Sequence, residues 1–375
     1  MTKTIFHIIN ILFCLLLLTI YGVAFISPDT FPTLSLLEFL YPVVLCVNVL
    51  FILIWAFVKW RYMIFPLVCI MIRVDYIPTF FNLGGAQHSQ VKAQLRDDDF
   101  KVLTYNIGSV SYGLNQKAEW RDNRAASDKK IDSLFDYIKE LRPAVIAFQE
   151  YYSSRKDSHS LHNRLLNVGY SYFYSPLNSK TPYITNSVIY SKYPIVKAGT
   201  LLADGEDNIN DIIYADIEVQ KAHVVRICNF HLASFHLEKR EGEVFTKLKE
   251  ADLSIDEKAK ASIIEKLKFA NRVRSTEINY VLPELKESYL PTLVLGDFND
   301  TPYSYTYRQM RKSFSDAFVA QGKGFGTTYN GDFPPFRIDY IFYNKDQFQI
   351  LSYQKDEIKV SDHYPVSCLV RVKKI

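Results

Sequence analysis

At 375 residues and 43.5 kDa, with 48% hydrophobic and 22% charged residues, the chain is too apolar to be disordered and has room for two average domains or one large one. A formal net charge of +4 is too weak to argue for nucleic acid, and five cysteines do not make a disulfide scaffold. The mean hydropathy of −0.04 averages two unlike parts. Before Gly84 the only Lys, Arg, Asp and Glu are Lys3, Asp29, Glu38, Lys59, Arg61, Arg73 and Asp75, which leaves 40 basic and 37 acidic residues for the rest.

From Ile5 to Ile26 no side chain is formally charged, enough to cross a hydrocarbon core of ~30 Å at ~1.5 Å per residue. A secretory signal has an apolar core of only about 7 to 15 residues and ends at a small-residue cleavage site. Here the run is longer, and Ser27-Pro28-Asp29 leads into a second span from about Leu36 or Tyr41 to Val58. Lys59, Trp60 and Arg61 form a basic and aromatic step suited to a membrane interface. The third apolar segment, Tyr62 to Ile72, is followed by Arg73, Asp75 and the patch Ile77 to Leu83. Residues 1–83 therefore read as a membrane anchor with two to three transmembrane helices, at about 5–26, 36–58 and 62–80.

The loop between the first two spans has no Lys or Arg, whereas Lys3, Lys59 and Arg61 mark the opposite ends as cytoplasmic. Three spans put the remainder of the chain on the external, periplasmic side of the cell (inner) membrane; two leave it in the cytoplasm. Cys14, Cys46 and Cys69 fall in the spans, and Cys228 and Cys368 in apolar strand-like runs that favour two buried thiols over a disulfide.

Residues 84–99 read as a tether, with Gly84-Gly85, several Gln and the triplet Asp97 to Asp99. Short β-rich runs follow over 100–375: Phe100 to Ile107, Ala144 to Phe148, Ser187 to Tyr190, Ile212 to Val219, His223 to Leu232, Thr292 to Leu295, Ile338 to Tyr343, Phe348 to Tyr353 and Tyr364 to Val372. Ile131, Leu134, Phe135, Ile138 and Leu141 have helical spacing and stop before Pro143, and a long charged helix is predicted from about Asp256 to Leu285. This mixture predicts one α/β domain, two sheets packed face to face with helices outside.

The chemistry lies where the strands run out. Val102 to Tyr105 leads into Asn106, Val145 to Phe148 into Gln149-Glu150, Val225 to Phe230 into His231, and Leu293 to Leu295 into Gly296-Asp297-Phe298-Asn299-Asp300. Arg337-Ile338-Asp339-Tyr340 opens one strand and Ser361-Asp362-His363 precedes the last. Strand ends on one edge of a rigid sheet converge on one site. Oxygen ligands without cysteine suit a hard ion such as Mg²⁺ or Mn²⁺. Phosphoester hydrolysis needs such an ion, a carboxylate to activate water, and donors for the developing charge.

Each residue also has a plainer reading. Asp297 and Asn299 could form a turn, Asn106 could be a satisfied turn amide, and His231 a buried structural imidazole. His159, His162 and His236 read as surface residues. Ser361, Asp362 and His363 are adjacent on an extended segment, so they cannot stack as a hydrolase triad. Arg337 is either a surface charge or a phosphate contact. Lys239, Arg240, Lys258, Lys260, Lys266, Lys268, Arg272 and Arg274 are interleaved with acids and read as a solvated helix face.

In order and in kind, Asn106, Gln149-Glu150, His231, Gly296 to Asn299, Asp339-Tyr340 and Ser361 to His363 resemble the endonuclease/exonuclease/phosphatase superfamily, which includes deoxyribonuclease I-like nucleases, neutral sphingomyelinases and inositol polyphosphate 5-phosphatases. The resemblance covers about Phe100 to Val372. Ser191 to Ile195, Gly296 to Tyr305, Gly324 to Tyr329 and Arg337 to Ile341 look like a bacterial membrane-anchored branch of it. It implies a four-layer α/β sandwich. It further implies that Glu150 binds the metal with Asn106 as a ligand or ligand-orienting amide and Asp362 completing the set. Asp297 would activate the nucleophilic water, and Asn299 would hold the water or a phosphoryl oxygen. His363 would contact the scissile phosphate, oriented by Asp339, and His231 would be a second phosphate or leaving-group contact. Ala144 stands where many relatives carry an acid, and the charged insertion from about Phe235 to Ser288 is expected to overhang the site.

The expected function is a membrane-anchored, Mg²⁺- or Mn²⁺-dependent phosphodiesterase acting on nucleic acid or on a phospholipid headgroup. Its partners would be that substrate and the lipid bilayer; no protein partner can be inferred. The weak positive charge argues against a dedicated DNA-binding nuclease. Aromatic loops Tyr170 to Tyr174, Tyr303 to Tyr307 and Phe333 to Phe336 could either lie on a bilayer or pack internally. The alternatives are a phosphomonoesterase of inositol-phosphate type and a non-catalytic membrane-tethered binding protein on the same fold.

Overall fold

The computed structural model describes residues 2–84, 95–96, 99–108, 120–176, 182–202, 211–220, 223–235, 241, 243–244, 247, 256–331 and 334–373. The chain divides into two compact units: residues 1–81, 234–278 and 300–312 form one, and residues 82–233, 279–299 and 313–375 the other.

In the first unit, Thr4–Val23 and Pro32–Val58 are helices long and apolar enough to cross a membrane. The third apolar segment is a pair of helical pieces, Trp60–Ile72 and Val74–Phe80, bent by 62°. At the bend Arg73 and Asp75 form a two-point ion pair, with both contacts at 3.0 Å. Leu17, Ile20, Val44 and Ile70 supply apolar packing. Polar side chains add hydrogen bonds, which among helices in lipid supplement close packing: Trp55 donates to Asn10 at 3.1 Å, and the Cys14 thiol to Asn48 at 3.3 Å. His7 stacks on Tyr62 at 4.0 Å, while Tyr76 meets Tyr21 and Tyr41 at 5.8 and 6.0 Å.

Part of the charged insertion belongs to this unit. Ser275 donates to Asp29 at 2.8 Å and Asn271 to Ser35 at 2.7 Å. Tyr303 packs on Tyr41 with ring centroids 3.7 Å apart, and Arg308 lies over Phe25 at 3.6 Å. Arg274, read from sequence as part of a solvated face, is completely buried here. The charges around it in sequence conceal that distant segments cover it. Lys239, Arg240 and His236 lie outside the described residues.

Among the described residues of the second unit, twelve strands form two mixed sheets. The strands are β1 (Phe100–Asn106), β2 (Val145–Ser154), β3 (Tyr172–Tyr174), β4 (Tyr183–Ser191), β5 (Ile195–Leu202), β6 (Ile212–Gln220), β7 (His223–His231), β8 (Thr292–Asp297), β9 (Ser315–Asp316), β10 (Asp339–Tyr343), β11 (Phe348–Lys355) and β12 (Val366–Val372). One sheet runs β11-β12-β1-β2-β4-β3 and the other β9-β10-β8-β7-β6-β5. Each has one parallel pair near its middle, β1 with β2 and β7 with β8.

Alternation along the strands explains both core and site. Val102, Val145 and Ala147 of one sheet share a buried core with Ile227, Leu293, Leu295 and Ile341 of the other. Two residues beyond these inward rows come Gln149, Asp297 and Asp339. The rows Val102-Thr104-Asn106 and Ile227-Asn229-His231 end likewise. Leu103, Tyr105, Ile146 and Phe148 face the opposite side, where Leu134 and Ile138 of helix Trp120–Leu141 and Leu161 and Leu165 of helix Leu161–Asn167 cover them.

His162 is a correction to the surface reading: it is buried, with Nδ1 2.8 Å from the Tyr190 hydroxyl. Tyr170, Tyr303 and Tyr307 are buried too, so these aromatics are internal packing. At the tether's end, Asp99 meets Arg371 through two contacts of 2.6 Å. Cys228 and Cys368 are buried free thiols.

Candidate active site

Parallel pairing puts Asn106 beside Gln149 at the ends of β1 and β2, and His231 beside Asp297 at the ends of β7 and β8. Antiparallel β10 starts opposite the end of β8, with Asp339 facing Asp297. Two buried contacts tie the sheets together at this edge. Asn106 Nδ2 donates to Asp297 Oδ2 at 2.9 Å, and Gln149 Nε2 donates to Asn229 Oδ1 at 2.6 Å. Asn229, absent from the sequence reading, also donates to the Phe148 carbonyl at 2.8 Å. Its only sequence signal was its place two residues before His231 on an inward row.

The Asp297 turn is fixed by the backbone. Gly296 has φ +141°, and a Cβ there would lie 2.0 Å from the Phe230 carbonyl oxygen, so the close approach of β7 requires glycine. Asn299 has φ +51°, donates its backbone N–H to Asp297 Oδ1 at 2.8 Å and its side-chain amide to the Leu232 carbonyl at 2.9 Å. The side chain of Asn299 thereby helps hold the turn.

Glu150 sits at an irregularity of β2 between Phe148 and Tyr151 and has φ +50°. Such a bulge re-aims a side chain. Its Oε1 accepts from Asn106 Nδ2 at 3.1 Å and lies 3.7 Å from His231 Nε2. Asn106 Oδ1 accepts from the Gly108 backbone at 3.0 Å, so this amide is an orienting group for Glu150. Gly108 was not predicted. A Cβ there would come within 1.9 Å of Glu150 Oε2.

His363 Nδ1 is 3.0 Å from Asp339 Oδ2, and its Nε2 is 3.7 Å from Asp297 Oδ2. Thr328 Oγ1 accepts the backbone N–H groups of Ile338 and Asp339, both at 3.0 Å, and the Tyr329 ring packs edge-on to His363 at 5.2 Å. Burial opposes charge on His363, but Asp339 and Asp297 outweigh it and push its pKa up to about 10. Burial is also the main reason the Asp297 carboxyl is pushed up to about 6; Asp339 adds to this, and His363, His231 and Asn106 oppose it.

Asp362 has an exposed side chain that accepts from Ser361 Oγ at 3.1 Å. No hydrogen bond or ion pair joins it to Glu150 or Asn106 among the described residues. Arg337 is not gathered into the site: it is buried against Asp316 at 2.7 Å and lies over the rings of Phe318 and Tyr340 at 4.8 and 4.6 Å.

A divalent cation fits this chemistry. Three carboxyls, Glu150, Asp297 and Asp339, converge at one edge, and Asp339 Oδ1 and both ring nitrogens of His231 are buried without a hydrogen-bond partner. Asp297, Asp339 and His363 each offer a ligand atom within 4.8 Å of the others and could hold a metal ion. In the present geometry His363 spends Nδ1 on Asp339 and is favoured in its charged form, which competes with that use.

A family model described as the Endonuclease/Exonuclease/phosphatase family matches residues 103–363, and one described as a domain of unknown function (DUF8431) matches residues 3–80. Among solved structures, the chain is similar to the human Nocturnin catalytic domain with bound sulfate anion, at TM-score 0.50 and 16% identity over 74% of this chain and 95% of that one. It is also similar to an endonuclease/exonuclease/phosphatase from Beutenbergia cavernae, at TM-score 0.48 and 16% identity over 73% and 72% of the two chains. A third is D. rerio TDP2 complexed with single strand DNA product, at TM-score 0.46 and 15% identity over 73% and 99%. At 16% identity the likeness to the Nocturnin domain is one of fold. No curated protein sequence matches.

Proposed function

The chain belongs to the endonuclease/exonuclease/phosphatase family, and from that membership we propose that it is a membrane-anchored, divalent-metal-dependent phosphodiesterase. The observation that carries this reading is the meeting of Asp297, Asp339 and His363 with Asn106, Glu150 and His231 at one edge of two facing sheets. Glu150, oriented by Asn106, would hold the ion, and exposed Asp362 is the candidate to complete its ligands. When bound, Mg²⁺ or Mn²⁺ would neutralise charge on the phosphoryl and leaving oxygens.

Asp297 accepts the proton of the attacking water at a carboxylate oxygen, a task suited to a carboxyl raised towards neutrality. His363 is the cationic donor for a phosphoryl oxygen, with Asp339 holding its other nitrogen and fixing its orientation. His231 is the second phosphate or leaving-group contact. Asn299 stabilises the turn on which the Asp297 geometry depends.

The test uses the full-length protein in detergent with Mg²⁺ or Mn²⁺. Substrates would be plasmid DNA, RNA, sphingomyelin, a phosphoinositide and a chromogenic phosphodiester. Turnover of a diester, abolished by chelation and lowered about 10²- to 10³-fold in His363→Ala, is expected. Absence of metal-dependent turnover on all substrates, or turnover insensitive to His363→Ala, would reject the reading. Turnover confined to a phosphomonoester would replace it with the phosphomonoesterase alternative.

Four contacts support an external active domain. Tyr62, next to Arg61, stacks on His7 near the start of the first helix, while Tyr76 reaches Tyr21 near its end. That supports passage of the third segment from one end of the helices to the other. Ser275 and Asn271 then meet Asp29 in the turn without Lys or Arg and Ser35 at the start of the second span, away from Lys59 and Arg61. Since Lys and Arg favour the cytoplasmic side, the later chain is external. An alkaline phosphatase reporter fused after Gly84 should be active and a fluorescent reporter dark; the opposite pair of results would reverse the orientation.

A further inference from the structure

We propose that Asn229 is a positioning residue for the metal-binding carboxylate: from the facing sheet, its side-chain amide closes the β2 bulge that aims Glu150. This rests on the phosphodiesterase reading above, in which Glu150 holds the ion. All the residues concerned belong to the second unit. Strands β2 and β4 pair regularly as far as Phe148 opposite Val188 and resume with Tyr151 opposite Asn186, so that Gln149 and Glu150 stand against Ser187 alone. Such a two-against-one bulge disrupts the ladder locally and re-aims a side chain. Here the carbonyls of the last regular pair are both taken up by one amide: Asn229 Nδ2 donates to the Phe148 carbonyl at 2.8 Å and to the Val188 carbonyl at 3.2 Å. An NH₂ group has two hydrogens, and both are used.

The orientation of that amide is fixed by its surroundings. Two carbonyl acceptors require the nitrogen on their side, which leaves Asn229 Oδ1 to accept from Gln149 Nε2 at 2.6 Å. Gln149 Nε2 also donates to Thr104 Oγ1 at 3.0 Å, and the Gln149 backbone carbonyl accepts the Ile107 N–H at 3.1 Å, so the residue before Glu150 is held from the β1 side as well. Asn229, Gln149, Thr104, Phe148 and Val188 are each 0% exposed, so carbonyls that lost this amide would have no bulk water to replace it. The backbone is left-handed on both strands of the bulge, at φ +50° for Glu150 and +65° for Asn186. Asparagine enters that region readily, whereas glutamate stays there only where its surroundings hold it. Fixing Phe148 and Gln149 sets the direction in which Glu150 leaves the strand, towards Asn106 Nδ2 at 3.1 Å and His231 Nε2 at 3.7 Å. His231 lies two residues beyond Asn229 on β7, so one inward row supplies both the brace for Glu150 and the imidazole beside it.

The experiment compares full-length wild type, Asn229→Asp and Thr104→Val in detergent. Asn229→Asp keeps the shape and the acceptor for Gln149 but removes both donor hydrogens, whereas Thr104→Val removes a hydrogen bond of the same network without touching the bulge carbonyls. Calorimetric titration with Mn²⁺ should show binding weakened about 10- to 100-fold in Asn229→Asp, the effect of a metal ligand losing its orienting support, against about twofold or less in Thr104→Val. In metal-free protein, amide hydrogen exchange at Glu150, Tyr151 and Tyr152 should quicken in Asn229→Asp while β12 stays protected. The kcat for the diester turned over by wild type should recover in part at saturating Mn²⁺, since Glu150 itself is intact. Wild-type Mn²⁺ affinity or wild-type exchange in folded Asn229→Asp would overturn the proposal, as would equal weakening in Thr104→Val, which would make the effect one of general stability. If Asn229→Asp fails to fold, Asn229→Ser, which leaves one donor hydrogen for two carbonyls, must weaken Mn²⁺ binding by at least about threefold, the scale of one neutral hydrogen bond; unchanged binding there overturns the proposal. Absence of Mn²⁺ binding in wild type would instead count against the metal-dependent reading, and the metal-free exchange comparison would still decide whether Asn229 closes the bulge.

Discussion

Replacing Asp297 with asparagine should lower kcat by about 10⁴-fold, the upper range for loss of general-base catalysis, while KM for the diester changes far less. Shape is nearly conserved, but the chemistry is not. Asp297 offers Oδ1 to the Asn299 N–H and Oδ2 to Asn106 Nδ2. An asparagine has one carbonyl oxygen, so one of these donors would face an NH₂ group. The variant would also lose the proposed water-activating base, the carboxylate 3.7 Å from His363. Stopped assays with excess enzyme would measure the residual rate, and circular dichroism would verify folding. A variant within about tenfold of wild type would exclude Asp297 as the base, since such a contribution is at least about 10².

The strand ends were legible because apolar runs such as Val145 to Phe148 and Leu293 to Leu295 stop abruptly at polar residues. Spacing by two then accounts for why Gln149, Asp297 and Asp339 face the interval between the sheets. Sheet order was not legible: the pairing of His231 with Asp297 requires β7 and β8 to become parallel neighbours across the long insertion. β5 went unread because Lys197 and Gly199 interrupt its apolar pattern, although Gly199 is the residue that admits the Tyr214 ring: a Cβ there would be 2.8 Å from it. Charge misled elsewhere. Arg274 and Arg337 belong to buried networks whose partners, Asp300 and Asp316, lie 26 and 21 residues away in sequence. His162 was likewise hidden from a local reading, since this helical residue finds its partner Tyr190 on strand β4. Asn106 gained its meaning only in three dimensions, where one amide reaches Glu150 and Asp297 on different sheets.

The position of Glu150 gives the second large prediction. Glu150→Ala should reduce turnover about 10²- to 10³-fold at moderate Mg²⁺, the scale associated with loss of one strong electrostatic contribution, and raise the Mg²⁺ concentration needed for half-maximal rate. Gly108→Ala is a sharper probe because it leaves every titratable group present. The added Cβ would lie 1.9 Å from Glu150 Oε2 and 2.8 Å from its carboxyl carbon, so the carboxylate must leave its place beside Asn106. Misorientation of a metal-binding group should weaken metal affinity by about 10- to 100-fold, with partial recovery of kcat at saturating Mg²⁺. Calorimetric titration with Mn²⁺ gives the same comparison without turnover. Unchanged metal affinity in both variants would remove Glu150 as the ion holder and transfer that role to Asp297, Asp339 and His363. Weakening in both, with affinity retained in His363→Gln, is the outcome expected if Glu150 holds the ion and His363 serves the phosphate.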